Sequence, residues 1–247
     1  GMELHAKYTV FAEGSRGQLG RELMAKFDLN ADADAQHYGI GFKELWEVKP
    51  ENHEVGKVVH GSGWPLSKGV TGGSFLYHLN DNLVTLGIII DLNYSNPYLS
   101  PFDEFQRMKH HPEFAKVLEG GKRLGYGARA ITKGGWNALG KMSLPGGLLV
   151  GCDAGTLNFA KIKGTHTAMK SGMTAAEAIF ESLDSKEAGH EPSSYADKLQ
   201  KSWLWPELYK VRNIRPGFAK GLWLGLAHAA LDTYLFFGRA PWTFHHH

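Results

Sequence analysis

One stretch of the sequence decides the fold: residues 146–155, which read GGLLVGCDAG. Its first half is a short apolar run between glycines, which is the pattern of a buried strand in a parallel sheet. Gly164 follows nine residues later and opens an alanine-rich segment, and the spacing predicts a helix over residues 165–183. The stretch therefore predicts a strand, a glycine turn and a long helix, as in an α/β fold.

A similar unit begins the chain. Residues 7–12 are apolar and β-rich, residues 13–17 read EGSRG, and residues 18–26 have helical character. Between the two α/β pieces lie alternating runs that predict an antiparallel meander. These runs are residues 39–48, 57–61, 74–79 and 83–92.

A helix is predicted to follow the meander. Ser100 is a suitable N-cap, with proline at the next position and acids in the first turn, and the pattern continues to about Glu119. Phe105, Met108 and Phe114 would form its buried face.

The expected fold is mixed, α+β or α/β, with a β-rich insertion in a discontinuous α/β domain. Residues 1–30 and 118–183 are assigned to the α/β domain and residues 31–117 to the insertion. Residues 184–247 form a third segment, which is polar at first and then rich in aromatic residues and glycine.

Composition excludes several classes of function. The formal net charge is +2 with acids and bases interspersed, so no basic stripe suits nucleic acid. Cys152 is the only cysteine, which excludes a disulfide framework and a cysteine-ligated metal cluster within these residues. The first residues do not resemble a secretory signal, and both ends are interpreted as cuts in a longer chain. The histidines at 245–247 are either a tag or natural sequence.

Several glycine-containing motifs are candidate binding sites. Ala12-Glu13-Gly14 ends the first strand, Asp153 follows the buried strand, and Gly164-Thr165 begins the long helix. Free amides and the positive end of a helix dipole at such positions can stabilise the negative charge that a flavin acquires on reduction. The alternative is a strand and a helix with no ligand. Gly72-Gly73 could leave room for a planar ring or could form a simple turn.

Longer stretches are more specific than these glycines, and they resemble the electron transfer flavoprotein-ubiquinone oxidoreductase family. They are residues 38–46, 63–66, 72–79, 96–102, 118–123, 161–172 and 211–216. The resemblance implies a partial FAD-binding domain of the glutathione-reductase-like type with an inserted antiparallel ubiquinone-binding domain. It also implies electron transfer from reduced electron transfer flavoprotein to ubiquinone.

The resemblance also suggests roles for individual residues. Ala12, Glu13, Gly14, Asp153, Gly164 and Thr165 would contact FAD. Gly72 and Gly73 would contact the quinone ring. No catalytic side chain and no metal ligand is assigned. The family's dinucleotide fingerprint and its [4Fe-4S] cysteines are missing from this sequence, so the chain is expected to be an internal fragment, inactive alone, that does not ligate the cluster.

The C-terminal part is predicted to include a helix over residues 217–237 that lies in a membrane interface. Its uncharged stretch is shorter than the ~20 residues needed to span a bilayer. Trp223, Leu226, Tyr234 and Phe237 would enter lipid. Flanking cations would face the head groups, namely Lys210, Arg212, Arg215, Lys220 and Arg239. The predicted location is monotopic on an inner membrane, at the bacterial cytoplasmic or mitochondrial matrix face. The alternative is a helix docked on the protein's own core.

The sequence alone leaves two other functions open. One is a different FAD-dependent oxidoreductase of the aromatic-hydroxylase or geranylgeranyl-reductase type. The other is a non-enzymatic membrane-binding module whose glycines serve only the fold.

Overall fold

The computed structural model describes residues 1–67, 69–183 and 189–245. His246 and His247 of the histidine run lie outside these residues. Contacts divide the chain into two compact units, the first formed by residues 1–36 and 132–247 and the second by residues 37–131. The α/β unit is therefore discontinuous. Its boundaries fall at 36/37 and 131/132 rather than at 30/31 and 117/118, and residues 184–247 do not separate from it.

The elements follow one another in a mixed order. The strands are β1 (Thr9–Phe11), β2 (Tyr38–Glu47), β3 (Val58–Ser62), β4 (Gly72–His78), β5 (Leu83–Asp91), β6 (Lys122–Thr132), β7 (Ser143–Leu144) and β8 (Gly147–Leu149). The α-helices are α1 (Gln18–Lys26), α2 (Pro101–Met108), α3 (Pro112–Leu118), α4 (Thr165–Leu183), α5 (Ser194–Lys201), α6 (Leu204–Lys210), α7 (Ile214–Gly217) and α8 (Leu222–Ala230).

The first unit contains a three-stranded sheet in the order β1-β8-β7. β1 and β8 are parallel, so their carboxyl ends share one edge. α1 and α4 have the predicted bounds. Leu148 and Leu149 of β8 are completely buried, and Tyr195 of α5 donates a hydrogen bond to the Leu149 carbonyl at 3.1 Å. The predicted strand is therefore the centre of this unit's core.

The second unit is a five-stranded sheet in the order β3-β4-β5-β2-β6. β3, β4 and β5 form an antiparallel meander, and β2 pairs antiparallel with the edge of β5 that faces away from β4. β5 buries alternate apolar side chains against α2 and α3, namely Val84, Leu86, Ile88 and Ile90. The sequence did not predict β6, and its place beside β2 explains why the unit extends beyond residue 117.

The single helix predicted from Ser100 to Glu119 is wrong, because the structure contains two helices. The Ser100 hydroxyl caps α2 as predicted, accepting a hydrogen bond from the Asp103 N–H at 3.3 Å. Pro112 begins a new helix, since proline cannot continue a hydrogen-bonded helix interior. Lys109 lies between the helices and donates to the buried Glu44 of β2 at 2.9 Å. Phe105, Met108 and Phe114 are buried as predicted.

The continuous helix predicted over residues 217–237 is also wrong. α7 passes into a 3-10 turn over residues 218–220, and α8 begins only after Gly221. Gly221 has φ +105°, a conformation that glycine adopts easily and that interrupts the helix. α8 then continues into a π-helical turn over residues 231–235.

Candidate functional site

The turns that follow β1 and β8 meet at one edge of the small sheet. Ala12 and Glu13 follow β1, and Asp153 lies in the turn that follows β8. The Glu13 N–H donates to Asp153 Oδ2 at 3.3 Å, and the Gly20 N–H in α1 donates to Glu13 Oε2 at 2.8 Å. The structure therefore brings Glu13 and Asp153, two of the predicted flavin contacts, together.

Asp153 lies in a restricted environment. Its side chain is 95% buried, and burial raises the pKa of its carboxyl group while the hydrogen bond from Glu13 opposes that shift. A Cβ at Gly20 would lie only 2.4 Å from Asp153 Oδ1, so α1 can approach the carboxyl group because residue 20 is glycine. Gly14 has φ +84° and allows the chain to turn from β1 toward α1.

The turn after β8 is also attached to α4. The Gly151 N–H donates to Ser171 Oγ at 2.9 Å, and a Cβ at Gly151 would lie 3.2 Å from the Ala168 methyl group. Gly164 precedes the helix, and Thr165, its first residue, is exposed. The first N–H groups of a helix have no acceptor within the helix and can bind an anion or a polar ring edge.

A charged network at the start of α4 was not predicted from the sequence. Glu207 of α6 accepts hydrogen bonds from His166 Nε2 at 2.7 Å, Lys161 Nζ at 2.8 Å and Asn158 Nδ2 at 2.9 Å. Partial burial would raise the pKa of Glu207, but these hydrogen bonds lower it to about 2. The His166 ring also stacks on Trp203. The network attaches the first turn of α4 to α6, and its members are too far apart in sequence to form a recognisable motif.

Lys133 is a second residue that sequence reasoning missed. It follows Thr132, whose hydroxyl donates to the Cys152 carbonyl at 3.1 Å, and it therefore lies beside the turn after β8. The side chain is 94% buried, with its ammonium group 5.0 Å from the centre of the Phe159 ring. Burial, with a smaller contribution from Arg215, lowers the pKa of Lys133 to about 7.

Gly72 and Gly73, the predicted quinone contacts, begin β4 in the second unit. A Cβ at Gly72 would lie 2.4 Å from both the Ile89 carbonyl oxygen and Leu66 Cδ1, so packing alone requires glycine there. A Cβ at Gly73 would meet only the Gly61 carbonyl oxygen, at 3.0 Å. Of the two glycines, Gly73 therefore has the more open surroundings.

The C-terminal elements expose an extensive apolar surface. The four residues predicted to enter lipid are all exposed: Trp223 (81%), Leu226 (46%), Tyr234 (79%) and Phe237 (70%). Four leucines that were not among these predicted residues are exposed as well, at positions 222, 224, 231 and 235. Gly225 and Asp232 are buried. Within the described residues, no helix is both long and apolar enough to cross a bilayer.

Two of the cations predicted to face lipid head groups are instead buried, because they serve the protein's own packing. Arg212 is 97% buried and Arg215 is 92% buried. The guanidinium group of Arg212 donates to the carbonyls of residues 209, 238, 240 and 242 and to the Thr243 hydroxyl, at 2.6–3.1 Å. Arg212 therefore holds the segment that follows the apolar surface. Lys210 and Arg239 remain exposed.

Solved structures share this fold at low sequence identity. A geranylgeranyl bacteriochlorophyll reductase-like protein from Thermoplasma acidophilum aligns with TM-score 0.57 and 17% identity, over 83% of this chain and 50% of that one. A flavin-dependent brominase aligns with TM-score 0.51 and 18% identity, over 96% and 55% of the two chains. The neighbours therefore include flavin-dependent enzymes, and they show the fold alone.

Sequence comparisons are more specific. Residues 38–131 match the family model described as ETF-QO, ubiquinone-binding, almost the same residues as the second unit. Electron transfer flavoprotein-ubiquinone oxidoreductase of Pseudomonas aeruginosa is 60% identical over 99% of this chain and 45% of that protein. The mitochondrial protein of Homo sapiens is 52% identical over all of this chain and 41% of that protein. The chain thus spans less than half the length of these relatives, and over that span it is similar to electron transfer flavoprotein-ubiquinone oxidoreductases.

Proposed function

We propose that this chain is the ubiquinone-binding domain and part of the flavin domain of an enzyme that transfers electrons from reduced electron transfer flavoprotein to ubiquinone. The observation that carries the proposal is the 60% identity to the Pseudomonas aeruginosa protein over 99% of the chain. The family-model match over residues 38–131 supports the assignment of the second unit to the quinone.

The first unit would hold part of an FAD molecule, in a domain of the glutathione-reductase-like type. Its residues fit that role: backbone amides of Ala12 to Gly14 lie at the carboxyl edge of the sheet beside Asp153, whose carboxyl group faces the same turn. The start of α4, at Gly164 and Thr165, would face the pyrimidine end of the ring, where its amides favour the reduced anionic flavin. The flavin supplies the redox chemistry, and these residues position it and tune its potential.

The second unit would hold the quinone ring against Gly73, because a glycine there leaves backbone groups accessible and Gly72 permits the close approach of Ile89 and Leu66. The [4Fe-4S] cluster of the family would be ligated outside this chain, since Cys152 is its only cysteine. Electron transfer flavoprotein would be the electron donor.

We further propose that the apolar surface around α8 attaches the enzyme to a membrane as a monotopic protein, on the bacterial cytoplasmic or mitochondrial matrix face. Ubiquinone is soluble in lipid, so its pocket must be reachable from the bilayer. Exposed Trp and Tyr beside leucines suit the interface between lipid and water. Contiguous exposed apolar surface of this kind commonly marks a binding face.

A variant with Trp223, Tyr234 and Phe237 all changed to serine tests the membrane proposal. The complete gene product carrying these changes should lose sedimentation with anionic liposomes and keep its flavin absorbance. A matched control replaces Tyr98 and Tyr126, which are exposed in the other unit, with serine. If the first variant sedimented as well as its parent, or if the control lost binding equally, the surface around α8 would not be the anchor.

The electron-transfer proposal is tested with the complete gene product in steady state. Reduced electron transfer flavoprotein should support reduction of a short-chain ubiquinone analogue, and NADPH should not. A protein that accepted electrons only from NADPH would instead favour the reductase or hydroxylase alternative. A complete product that bound no flavin would favour the non-enzymatic membrane module.

A further inference from the structure

The face of the second unit's sheet that carries Gly73 also carries Tyr77. Side chains along a strand alternate between the two faces of a sheet. In β4 the even-numbered positions 74, 76 and 78 are buried, and the odd-numbered positions 73, 75 and 77 are partly exposed. Tyr77 therefore lies on the same accessible face as Gly73, the residue proposed to contact the quinone ring.

The edge strand β3 adds a histidine to this face. In the register between β3 and β4, Ser62 pairs with Gly73, and the next pair on the same face is His60 with Phe75. His60 is thus the diagonal neighbour of Gly73, and such neighbours lie roughly 7–8 Å apart, within reach of an aromatic side chain. His60 is exposed, like the rest of β3. A planar ring that lies against Gly73 can therefore contact His60.

The opposite side of Gly73, toward β5, is apolar. Gly73 pairs there with Ile89, and Phe75 pairs with Gly87. A Cβ at Gly87 would lie 2.6 Å from two atoms of the Phe75 ring, so this ring lies over β5 and not between Gly73 and His60. A quinone ring on Gly73 would thus have an apolar wall on the β5 side and polar side chains on the β3 side.

His60 and Tyr77 form a hydrogen-bonded pair. Tyr77 Oη lies 3.1 Å from His60 Nε2, and the two ring centres are 5.5 Å apart. When Nε2 accepts the tyrosine proton, the neutral imidazole carries its own proton on Nδ1. Within the part of the chain that the structure describes, no group forms a hydrogen bond with His60 Nδ1. This nitrogen can therefore donate to a ligand on the exposed face.

We propose that His60 donates a proton to the quinone and that Tyr77 is the second member of a proton relay. The inference rests on the proposed transfer of electrons to ubiquinone and assigns a role in it to two further side chains. The quinone ring lies against Gly73, with one carbonyl oxygen at His60 Nδ1. Histidine and tyrosine are both used as general acids by enzymes.

The reduction of ubiquinone to ubiquinol consumes two electrons and two protons, with one proton added to each oxygen. The electrons come from the reduced flavin, and the proton for the distant oxygen comes from water. At the near oxygen an O–H bond forms as the Nδ1–H bond of His60 breaks, while Nε2 takes the hydroxyl proton of Tyr77. After the quinol leaves, Nδ1 takes a proton from water and Nε2 returns its proton to Tyr77.

Reoxidation of the photoreduced flavin in the complete gene product, at a saturating concentration of a short-chain ubiquinone, tests the proposal. His60→Ala should slow this reaction about 100-fold, the lower end of the effect of a general acid. Ferricenium accepts an electron without a proton, so it should reoxidise His60→Ala as fast as the parent. Imidazole in solution should restore part of the lost quinone rate. An unchanged quinone rate in His60→Ala, or an equal loss with ferricenium, would overturn the proposal.

Quinone binding separates proton donation from a structural role. Titration of the oxidised protein with the same ubiquinone, followed by tryptophan fluorescence, gives the Kd. In His60→Ala the Kd should rise by at most about tenfold, the upper value for one neutral hydrogen bond. Tyr77→Phe should slow quinone reduction about two- to tenfold, because His60 keeps its own proton. A Kd that rose as much as the rate fell would mean that His60 only shapes the pocket, which contradicts the proposal.

Matched controls replace residues of the same types elsewhere in the second unit. His110 and Tyr126 are exposed and lie outside β3 and β4, so His110→Ala and Tyr126→Phe should behave like the parent. Loss of the quinone rate in these controls as well would overturn the assignment to His60 and Tyr77.

A second substitution keeps the test decisive if circular dichroism shows that His60→Ala does not fold. His60→Gln retains a hydrogen-bond donor that cannot transfer a proton, so it should keep the Kd of the parent and lose the quinone rate. Quinone reduction by His60→Gln at the rate of the parent would refute the inference alone. A parent that ferricenium reoxidised and ubiquinone did not would refute the proposed function, and the inference with it.

Discussion

Replacing Arg212 by methionine should loosen the attachment of residues 238–244 within the first unit. Methionine is unbranched and apolar, so it removes the guanidinium group while filling part of its space. The structure predicts the consequence directly, because four backbone carbonyls and the Thr243 hydroxyl would lose their donor together. These acceptors lie in residues 209–243, on both sides of the exposed apolar surface.

The expected cost follows from the burial of the group. A hydrogen bond to a charged group contributes about 1.5–3 kcal/mol, but five bonds to one side chain are not additive. Leaving a buried acceptor without its donor costs about 1–3 kcal/mol. Pro241 and Trp242 are exposed, so water can reach some of the freed carbonyls, and we expect a total of about 3 kcal/mol. For a chain of this size that corresponds to a decrease of about 6–12 °C in Tm.

Hydrogen exchange measured by mass spectrometry, together with thermal unfolding, tests this reasoning. Peptides covering residues 238–244 should lose protection in Arg212→Met, whereas peptides from the second unit should not change. Arg239→Met is the matched control, because Arg239 is exposed and should change Tm by less than about 1 °C. Unchanged protection of residues 238–244, or an equal effect of the control, would show that Arg212 does not anchor the segment.

Two further predictions concern the sites themselves. Gly73→Ala should slow quinone reduction while leaving flavin reduction intact. The control is Gly127→Ala, where a Cβ meets no atom within 4 Å, and it should change neither half-reaction. Equal loss of both half-reactions in Gly73→Ala would contradict the assignment of Gly73 to the quinone site. Lys133→Met should raise Tm most at pH 7 and below, because there the wild-type protein must bury the charged ammonium group of Lys133. The pKa of this group is about 7 in the folded protein and about 10.4 in the unfolded chain. The stability of the wild type rises with pH between these two pKa values, so the difference in Tm between Lys133→Met and the wild type should shrink toward about pH 10. If scanning fluorimetry found the same difference in Tm at every pH, the lowered pKa of Lys133 would be contradicted.

The local elements of the first unit could be predicted from the sequence because their signals are local. Glycine turns and helical periodicity gave both bounds of α1 and α4. Pro112 alone predicts the break between α2 and α3, although the apolar spacing continues across it. In the same way Gly221 marked the break before α8, which the amphipathic pattern concealed.

Other features could not be predicted because they depend on pairing between distant residues. β6 exposes Leu124 and Tyr126 and contains two glycines, so it lacks the alternation of a half-buried strand and is defined by its place beside β2. The burial of Arg212 depends on carbonyls up to 30 residues away.

The most direct test of the proposed function is the reoxidation of the flavin in the complete gene product. The flavin is first reduced by reduced electron transfer flavoprotein without oxygen, and a short-chain ubiquinone is then mixed with the enzyme in a stopped-flow spectrophotometer. The account predicts that oxidised flavin absorbance returns at a rate that saturates with quinone concentration and that falls in Gly73→Ala but not in Gly127→Ala. A flavin that stayed reduced in the presence of quinone, or that was reoxidised equally fast in all three proteins by a reaction without saturation, would contradict it.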